Sequence, residues 1–331
     1  MPPPRSRGFW GPLITLLAVV LLVVSLITNL VQLVGAFSAD RTLKQTTIHT
    51  GDLKQVVAVI PIVNNMILHA QAVELEKVLK EVGDDDNVKA VVLRIDTPGG
   101  EVTASDEMYQ SILDFKLKRQ NVPVYVSMGG LATSGGYYTA CGADYLVAEP
   151  TTLTANIGVL AENINISKLA EKYGVEDQTL HSTGADFKTA GSMLKTPTAE
   201  DTAYLQALID SMADRFHDVV KKGRRGRLKA PMATIFNAQA YTATAALSMG
   251  LVDQIGYLDD TCKAAASKAG LTNPTIVKYE EPSPLLAFLQ ARSPLPDSEA
   301  TGDIKINGMP VEIPALHQML DRRPMYLYAP R

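Results

Sequence analysis

The chain is expected to fold as an α/β domain around a largely parallel β-sheet, preceded by an N-terminal transmembrane helix. Three observations predict this. β-branched apolar runs alternate with stretches of helical periodicity. One such run, Val88 to Ile95 (VKAVVLRI), is apolar almost throughout, as in a parallel strand covered on both faces. No charged residue occurs between Arg7 and Asp40.

The uncharged stretch comes first. Residues 12–34 (after Pro12, LITLLAVVLLVVSLITNLVQLV) are long enough to cross a bilayer, which takes roughly 20 apolar residues. A cleaved signal peptide competes with a retained anchor. The apolar run is long for a signal peptide, and Ala36-Phe-Ser-Ala39 is a poor cleavage site, so the anchor is preferred. Arg5 and Arg7 precede the span, while Arg41 and Lys44 follow it, so charge sets its direction only weakly. The short N-terminus and large C-terminal part favour a single pass with the C-terminal part outside the cytoplasm. Residues 1–37 are therefore read as N-terminus and anchor, 38–53 as a polar linker, 54–280 as the α/β domain, and 281–331 as a Pro-rich tail without assigned structure.

Within the domain, residues 54–63 (KQVVAVIPIV) read as a strand. A helix follows with Leu68, Ala72, Leu75, Leu79 and Val82 on one face. Asp84-Asp85-Asp86-Asn87 is a solvated turn, lacking the spaced ligands and distal glutamate of a calcium loop. After the strand at Val88 to Ile95 comes a helix with Met108, Ile112 and Phe115 at helical spacing. Pro123 to Met128 is a third strand, leading to a small-residue turn at Ser134 and a helix to about Gly142. Asp144 to Ala148 is a fourth strand. Thr198-Ala-Glu-Asp201 reads as a helix N-cap box, and the helix it opens carries Leu205, Leu208, Met212, Phe216 and Val219 as its apolar stripe. The basic run Lys221, Lys222, Arg224, Arg225, Arg227, Lys229 reads as a solvated helix end complementing the helix dipole. A short helix ends at Gly250, a residue suited to a C-cap.

Composition excludes several classes. A net charge of −4 over 331 residues leaves no footprint for nucleic acid. The two cysteines, Cys141 and Cys262, lie far apart and form neither a disulfide framework nor a zinc pattern. No cofactor and no metal are expected.

Two turns carry candidate chemistry. In Leu131-Ala-Thr-Ser-Gly-Gly-Tyr-Tyr, Ser134 follows a strand and precedes a helix, where unpaired backbone N–H groups suit an oxyanion. Ser134 equally fits a helix N-cap. Asp96-Thr-Pro-Gly-Gly100 ends the buried parallel strand, where open α/β sheets place ligands. Its glycines can expose N–H groups to an oxyanion or to an extended peptide, and it equally fits an ordinary Pro-Gly turn. None of the histidines, His49, His69, His181, His217 and His317, stands in a triad context. A lysine can replace histidine as base when burial keeps its amine neutral. Lys188 lies in the small-residue stretch Ser182 to Gly191, and nothing in the composition separates it from a surface lysine.

Taken in order, VVLRIDTPGGEV, PVYVSMGGLATSGGYYTACGADYLVAEPTTLTANIGVL and YTATAALSMGLVDQIGYLDD resemble the signal peptide peptidase A family of serine proteases, over roughly residues 53–265. The resemblance implies a ClpP/crotonase-like fold and a Ser-Lys dyad, with Ser134 as nucleophile and Lys188 as general base. It implies oxyanion-hole amides at Gly100 and Gly135, and assembly into membrane-anchored homo-oligomeric rings or domes. Two departures stand out. Where similar enzymes carry a serine in T-G-S-I-G-V, this chain has Asn156, whose oxygen can still accept from the lysine amine. The segment after Lys188 (TAGSMLKTPTAED) also departs from the usual D-x-x-S-P-x-R pattern.

The expected function is thus a membrane-anchored serine endopeptidase acting on signal-peptide remnants or other short, unfolded peptides. Its expected partners are peptides, membrane lipid through residues 12–34 and further copies of itself, at the cell membrane. A catalytically inactive homologue serving as a membrane scaffold, and a crotonase-type acyl-CoA enzyme, are the alternatives.

Overall fold

In a computed structural model of the protein, residues 18–29, 43–64, 66–280, 304–306 and 309–311 are described. The chain divides into two units, Met1–Asp40 with Ser283–Arg331, and Arg41–Pro282. In the first, residues 18–29 form helix α1, and Ile304–Ile306 pairs antiparallel with Met309–Val311. The remainder of the expected span at 12–34, and most of the tail at 281–331, lie outside the described residues. Among the described residues, no helix is long and apolar enough to cross a membrane.

The second unit is built on strands β1 (Lys44–His49), β2 (Asp52–Val63), β3 (Val88–Thr97), β4 (Val124–Thr133), β5 (Tyr145–Ala148), β6 (Leu153–Ala155), β7 (Ala240–Thr242), β8 (Gln254–Ile255) and β9 (Pro274–Glu280). Between them lie α2 (His69–Asp84), α3 (Val102–Lys118), α4 (Gly135–Ala140), α5 (Ser167–Lys172), α6 (Ala199–Gly223), α7 (Met232–Ile235), α8 (Ala243–Met249) and α9 (Leu258–Lys268). The main sheet runs β1-β9-β2-β3-β4-β5-β8. Every neighbouring pair along it is parallel except β1 with β9. The largely parallel α/β architecture is therefore as the alternation of apolar runs and helical stretches predicted.

The apolar strands owe their character to helices on both faces. Val56, Ala58, Ile60 and Ile62 of β2, with Val91, Leu93 and Ile95 of β3, face the core formed with α2 and α3. The intervening Val57, Val59, Ala90 and Val92 face Cys262, Ala265 and Ala266 of α9. The expected faces of α2 and α3 are buried too, except that Leu68 caps the helix and is exposed. The sequence pattern assigned none of β1, α5, β6, α7, β7, β8, α9 and β9, although α9 and β9 do bury apolar residues. β1 is exposed throughout and lies in the stretch read as linker. β6, β7 and β8 are three, three and two residues long. The short helix α5 buries only Ser167.

β4 bends at its middle. Ile95 pairs with Met128, but the next pairing is Thr97 with Ala132, so β4 holds two extra residues. Before the bulge β4 pairs with β5, and after it with β6. The Asp96 side chain fills the space at Gly129, where a Cβ would come within 2.5 Å of its Oδ2. Its Oδ1 accepts the Leu131 N–H at 3.0 Å. A bulge of this kind re-aims the residues beyond it, and here those residues form the Ser134 turn.

The end of α6 differs from the solvated basic terminus expected. Arg224 is only 1% exposed. Its guanidinium donates to both oxygens of Asp253, at 2.7 and 2.8 Å, and to the Gly250 carbonyl. Arg227 also reaches Asp253, whose Oδ2 accepts the Leu146 N–H besides. The charge run thus contains a buried anchor that its composition hides. Upstream on α6, Phe216 and Val219 are buried as expected, but Leu208 and Met212 are exposed. Removing one partner of a buried ion pair leaves the other uncompensated. Asp253→Asn is therefore expected to destabilise the fold by about 3 kcal/mol, measured by urea unfolding.

Candidate active site

Ser134 is held by its backbone. Its N–H donates to the Ala155 carbonyl at 2.8 Å, and its own carbonyl accepts the Tyr138 N–H at 2.9 Å, which starts α4. Its φ of 51° and ψ of −121° are costly for a residue with a Cβ, by about 1–3 kcal/mol. The side chain makes no capping bond to α4 and lines a cleft instead. Ser134 thus stands at the N-cap position of α4 without its hydroxyl capping the helix.

Ser134 belongs to a strained cluster. Among the described residues, the non-glycine residues with positive φ are Ser134, Ala155, Asn156 and Ala238. Hydrogen bonds join them. Ala155 accepts from Ser134, while the Asn156 N–H donates to Gln239 O at 2.9 Å and the Asn156 side-chain amide to Ala238 O at 2.6 Å. That leaves the Asn156 carbonyl oxygen as an acceptor. Loop 237–239 is gathered in turn by the Tyr241 hydroxyl, which donates to Thr234 O at 2.7 Å.

The Pro-Gly turn packs directly on this serine. Gly99 has φ +109°, and a Cβ there would lie 2.8 Å from the Ser134 Cβ and 2.7 Å from Gly135 N. The Thr133 hydroxyl donates to Pro98 O, tying the two turns together. On its outer side the turn is bridged by Ile67, which donates to Gly99 O and accepts from the Glu101 N–H. The Gly100 N–H is not used by that bridge. The Gly135 N–H opens α4, where helix geometry supplies no acceptor. Neither amide donates to another backbone or side-chain group among the described residues. A Cβ on Gly135 would stand 3.2 Å from Gly100 N and 2.3 Å from the Ser105 Oγ. The two free amides therefore share one rim, in an arrangement that can hold an oxyanion.

The cleft has a volume of about 240 Å³ and is walled by Val102, Tyr138, Val159, Leu160, Met212 and Phe216, with no charged side chain in its lining. Two larger hollows, of about 450 and 320 Å³, lie over α2–α3 and beside β9. Neither contains Ser134 or a free amide pair, so the smaller cleft is the one with chemistry.

The structure brings Ser134, Gly100, Gly135 and Asn156 around this cleft. Lys188 stands apart, exposed on a 3-10 turn (Asp186–Thr189) in the segment between β6 and α6. No described histidine lines the cleft. His69 pairs with Glu107 at the surface, and His217 stacks on Phe236 at 4.1 Å between ring centroids. His317 lies outside the described residues. The Cys141 thiol, pushed up to about 12 by burial, stays protonated beneath α4. Sequence reasoning missed Ser105, Tyr138 and Ala238 in the lining. Ser105 was within reach, since it continues the Met108–Ile112 face one turn earlier. Ala238 carried no signal, because its place depends on a loop conformation.

The sequence profile of peptidase family S49 matches residues 116–272. The assigned signal peptide peptidase SppA of Enterococcus faecium is 36% identical over 202 residues, covering 61% of this chain and 57% of that protein. The assigned protease slr0021 of Synechocystis sp. is 33% identical over 216 residues, covering 64% of this chain and 75% of that protein. This chain thus spans little more than half of the first relative's length. A solved structure, the membrane-bound stomatin-specific protease 1510-N, is 21% identical, covering 64% of this chain and 84% of that one, at a TM-score of 0.40. That overlap is too loose to carry an argument. The two relatives, about a third identical over some 200 residues, and the matched profile show that the chain belongs to peptidase family S49, the signal peptide peptidase A family.

Proposed function

We propose that the chain is a membrane-anchored serine endopeptidase. It cleaves signal-peptide remnants and other short or unfolded peptides beside the membrane with a dyad of Ser134 and Lys188. The observation that carries this reading is the strained Ser134 beside the two free amides of Gly100 and Gly135, in an apolar cleft. The domain at 54–280 is read as ClpP/crotonase-like, which accords with oxyanion donors following two adjacent parallel strands. Residues 12–34 serve as a retained single-pass anchor, with the catalytic domain outside the cytoplasm.

In this mechanism Ser134 Oγ attacks the scissile carbonyl while the neutral amine of Lys188 takes its proton. The N–H groups of Gly100 and Gly135 hold the negative oxygen of the tetrahedral intermediate. The lysine then gives the proton to the leaving amine. In deacylation it takes a proton from the water that attacks the acyl-enzyme and returns it to Ser134 Oγ as the acyl group leaves. The Asn156 oxygen accepts from the lysine amine and orients it.

The arm bearing Lys188 exposes Leu160, Ile164, Leu180 and Phe187, the third of them 95% exposed. A surface of this kind is suited to burial against another subunit. Homo-oligomer assembly is read as the step that brings a Lys188 amine to Ser134.

Three outcomes test this reading. Ser134→Ala and Lys188→Ala each lower kcat on an unstructured peptide by about 10³-fold or more, with the oligomer intact by light scattering. A folded, assembled protein that cleaves nothing and leaves Ser134 unlabelled by an acylating probe would instead be a scaffold. Gly135→Ala meets Ser105 and disturbs an oxyanion amide, so kcat falls by about 10²-fold with KM little changed. Deleting residues 1–40 moves the protein from sedimenting vesicles to the aqueous fraction.

A further inference from the structure

The cleft beside Ser134 has walls of different firmness. Val102 of α3 and Tyr138 of α4 stand on elements packed into the core, and Tyr138 is buried. Met212 and Phe216 form the opposite wall on α6. Towards its N-terminus α6 exposes Tyr204, Leu208 and Met212, with Phe187 packed on Tyr204 at 4.8 Å between ring centroids.

One carboxylate joins the walls. Asp106 Oδ1, on α3, accepts the Tyr138 hydroxyl at 2.5 Å and two N–H groups of Arg215, on α6, at 2.8 and 3.2 Å. The Tyr138 ring also packs against Phe216 at 4.9 Å and edge-on to Tyr109 at 5.7 Å. Burial, then the bond to Asp106, raises the Tyr138 pKa, so its hydroxyl remains a donor. A chain of contacts thus runs from the helix behind Ser134, through α3, to the α6 wall.

We propose that the Asp106–Arg215 pair, fixed by Tyr138, sets the width of the cleft and so selects the size of the peptide side chain held beside Ser134. The inference rests on the peptidase reading above. Asp106 and Arg215 are not in the cleft lining, and they act as positioning residues through Tyr138, Met212 and Phe216. An isolated surface ion pair contributes little. This one differs because a buried hydroxyl fixes the carboxylate and two guanidinium N–H groups converge on one oxygen. It is still exposed enough, at 44% for Arg215 and 40% for Asp106, to be screened by salt.

The test compares kcat/KM of the full chain and of Arg215→Gln on two unstructured peptides. These differ only in alanine or phenylalanine on the N-terminal side of the scissile bond. Arg215→Gln is expected to raise the phenylalanine-to-alanine ratio about twofold to fivefold, with Arg215→Lys between. Raising salt from about 0.05 to about 1 M is expected to raise the ratio in the natural protein and leave it flat in Arg215→Gln. A purely structural role lowers both peptides by one factor, and that result overturns the proposal, as does a natural protein whose ratio ignores salt. If Arg215→Gln does not fold, the salt series on the natural protein decides alone. Failure to cleave either peptide by a folded, assembled natural protein would overturn the peptidase reading, and this selection with it.

Discussion

Two backbone turns, one after β3 and one after β4, approach each other more closely than side chains allow, and the rest of the structure serves that approach. A Cβ on Gly99 would press on Ser134 and Gly135, and one on Gly135 on Ser105 and Gly100. Only glycine permits the contact, and the adjacent parallel strands β3 and β4 deliver the two turns side by side at one end of the sheet. The bulge in β4, braced by Asp96, turns the second of them onto the first. Ile67 clamps the first from outside, which leaves the inward Gly100 amide without an acceptor.

Strain is concentrated in the same place. Among the described residues, four non-glycine residues have positive φ, and three of them, Ser134, Asn156 and Ala238, line the cleft, a conformation that persists only where the surroundings over-determine it. Here the surroundings are a sheet buried on both faces and a second anchor below. The hydroxyl of fully buried Tyr137, on α4, donates to Leu251 O, in the turn that also supplies Gly250 and Asp253 to Arg224. The helix behind Ser134 is thus tied at its underside to the ion pair that closes α6. Free amides remain unpaired at the rim because the backbone around them is not free to relax.

The domain is less complete on its other side. The arm between β6 and α6, and the outer face of α6, expose apolar side chains while the core beneath is filled. In the proposed mechanism these surfaces are covered by assembly, and the base arrives with them. Nucleophile and oxyanion donors are then a property of one fold, while the dyad is a property of the assembly.

The parallel sheet was legible because burial on both faces writes itself into Val88–Ile95 as an unbroken apolar run, and α2 and α3 were legible as one-sided stripes. The turns that hold Ser134, Gly100 and Gly135 were legible because turns at strand ends demand small residues, while the roles expected of those residues came from the family that motif order identified. Other features were not written locally. Arg224 reads as one cation in a basic run, and only the return of the chain at Asp253 makes it a buried anchor. Leu208 and Met212 read as core, yet both are exposed among the described residues. Asn156 was known by its place in a motif, while its bond to Ala238 depends on a loop 82 residues away in sequence. The sequence by itself determined the largely parallel α/β fold and the two glycine turns, which rest on local periodicity and on steric rules for single residues, and the family, which rests on the order of its motifs. Only the tertiary structure decided which amides stay unpaired, which charges are buried and how the cleft is walled, because each depends on groups that meet only after the chain has folded.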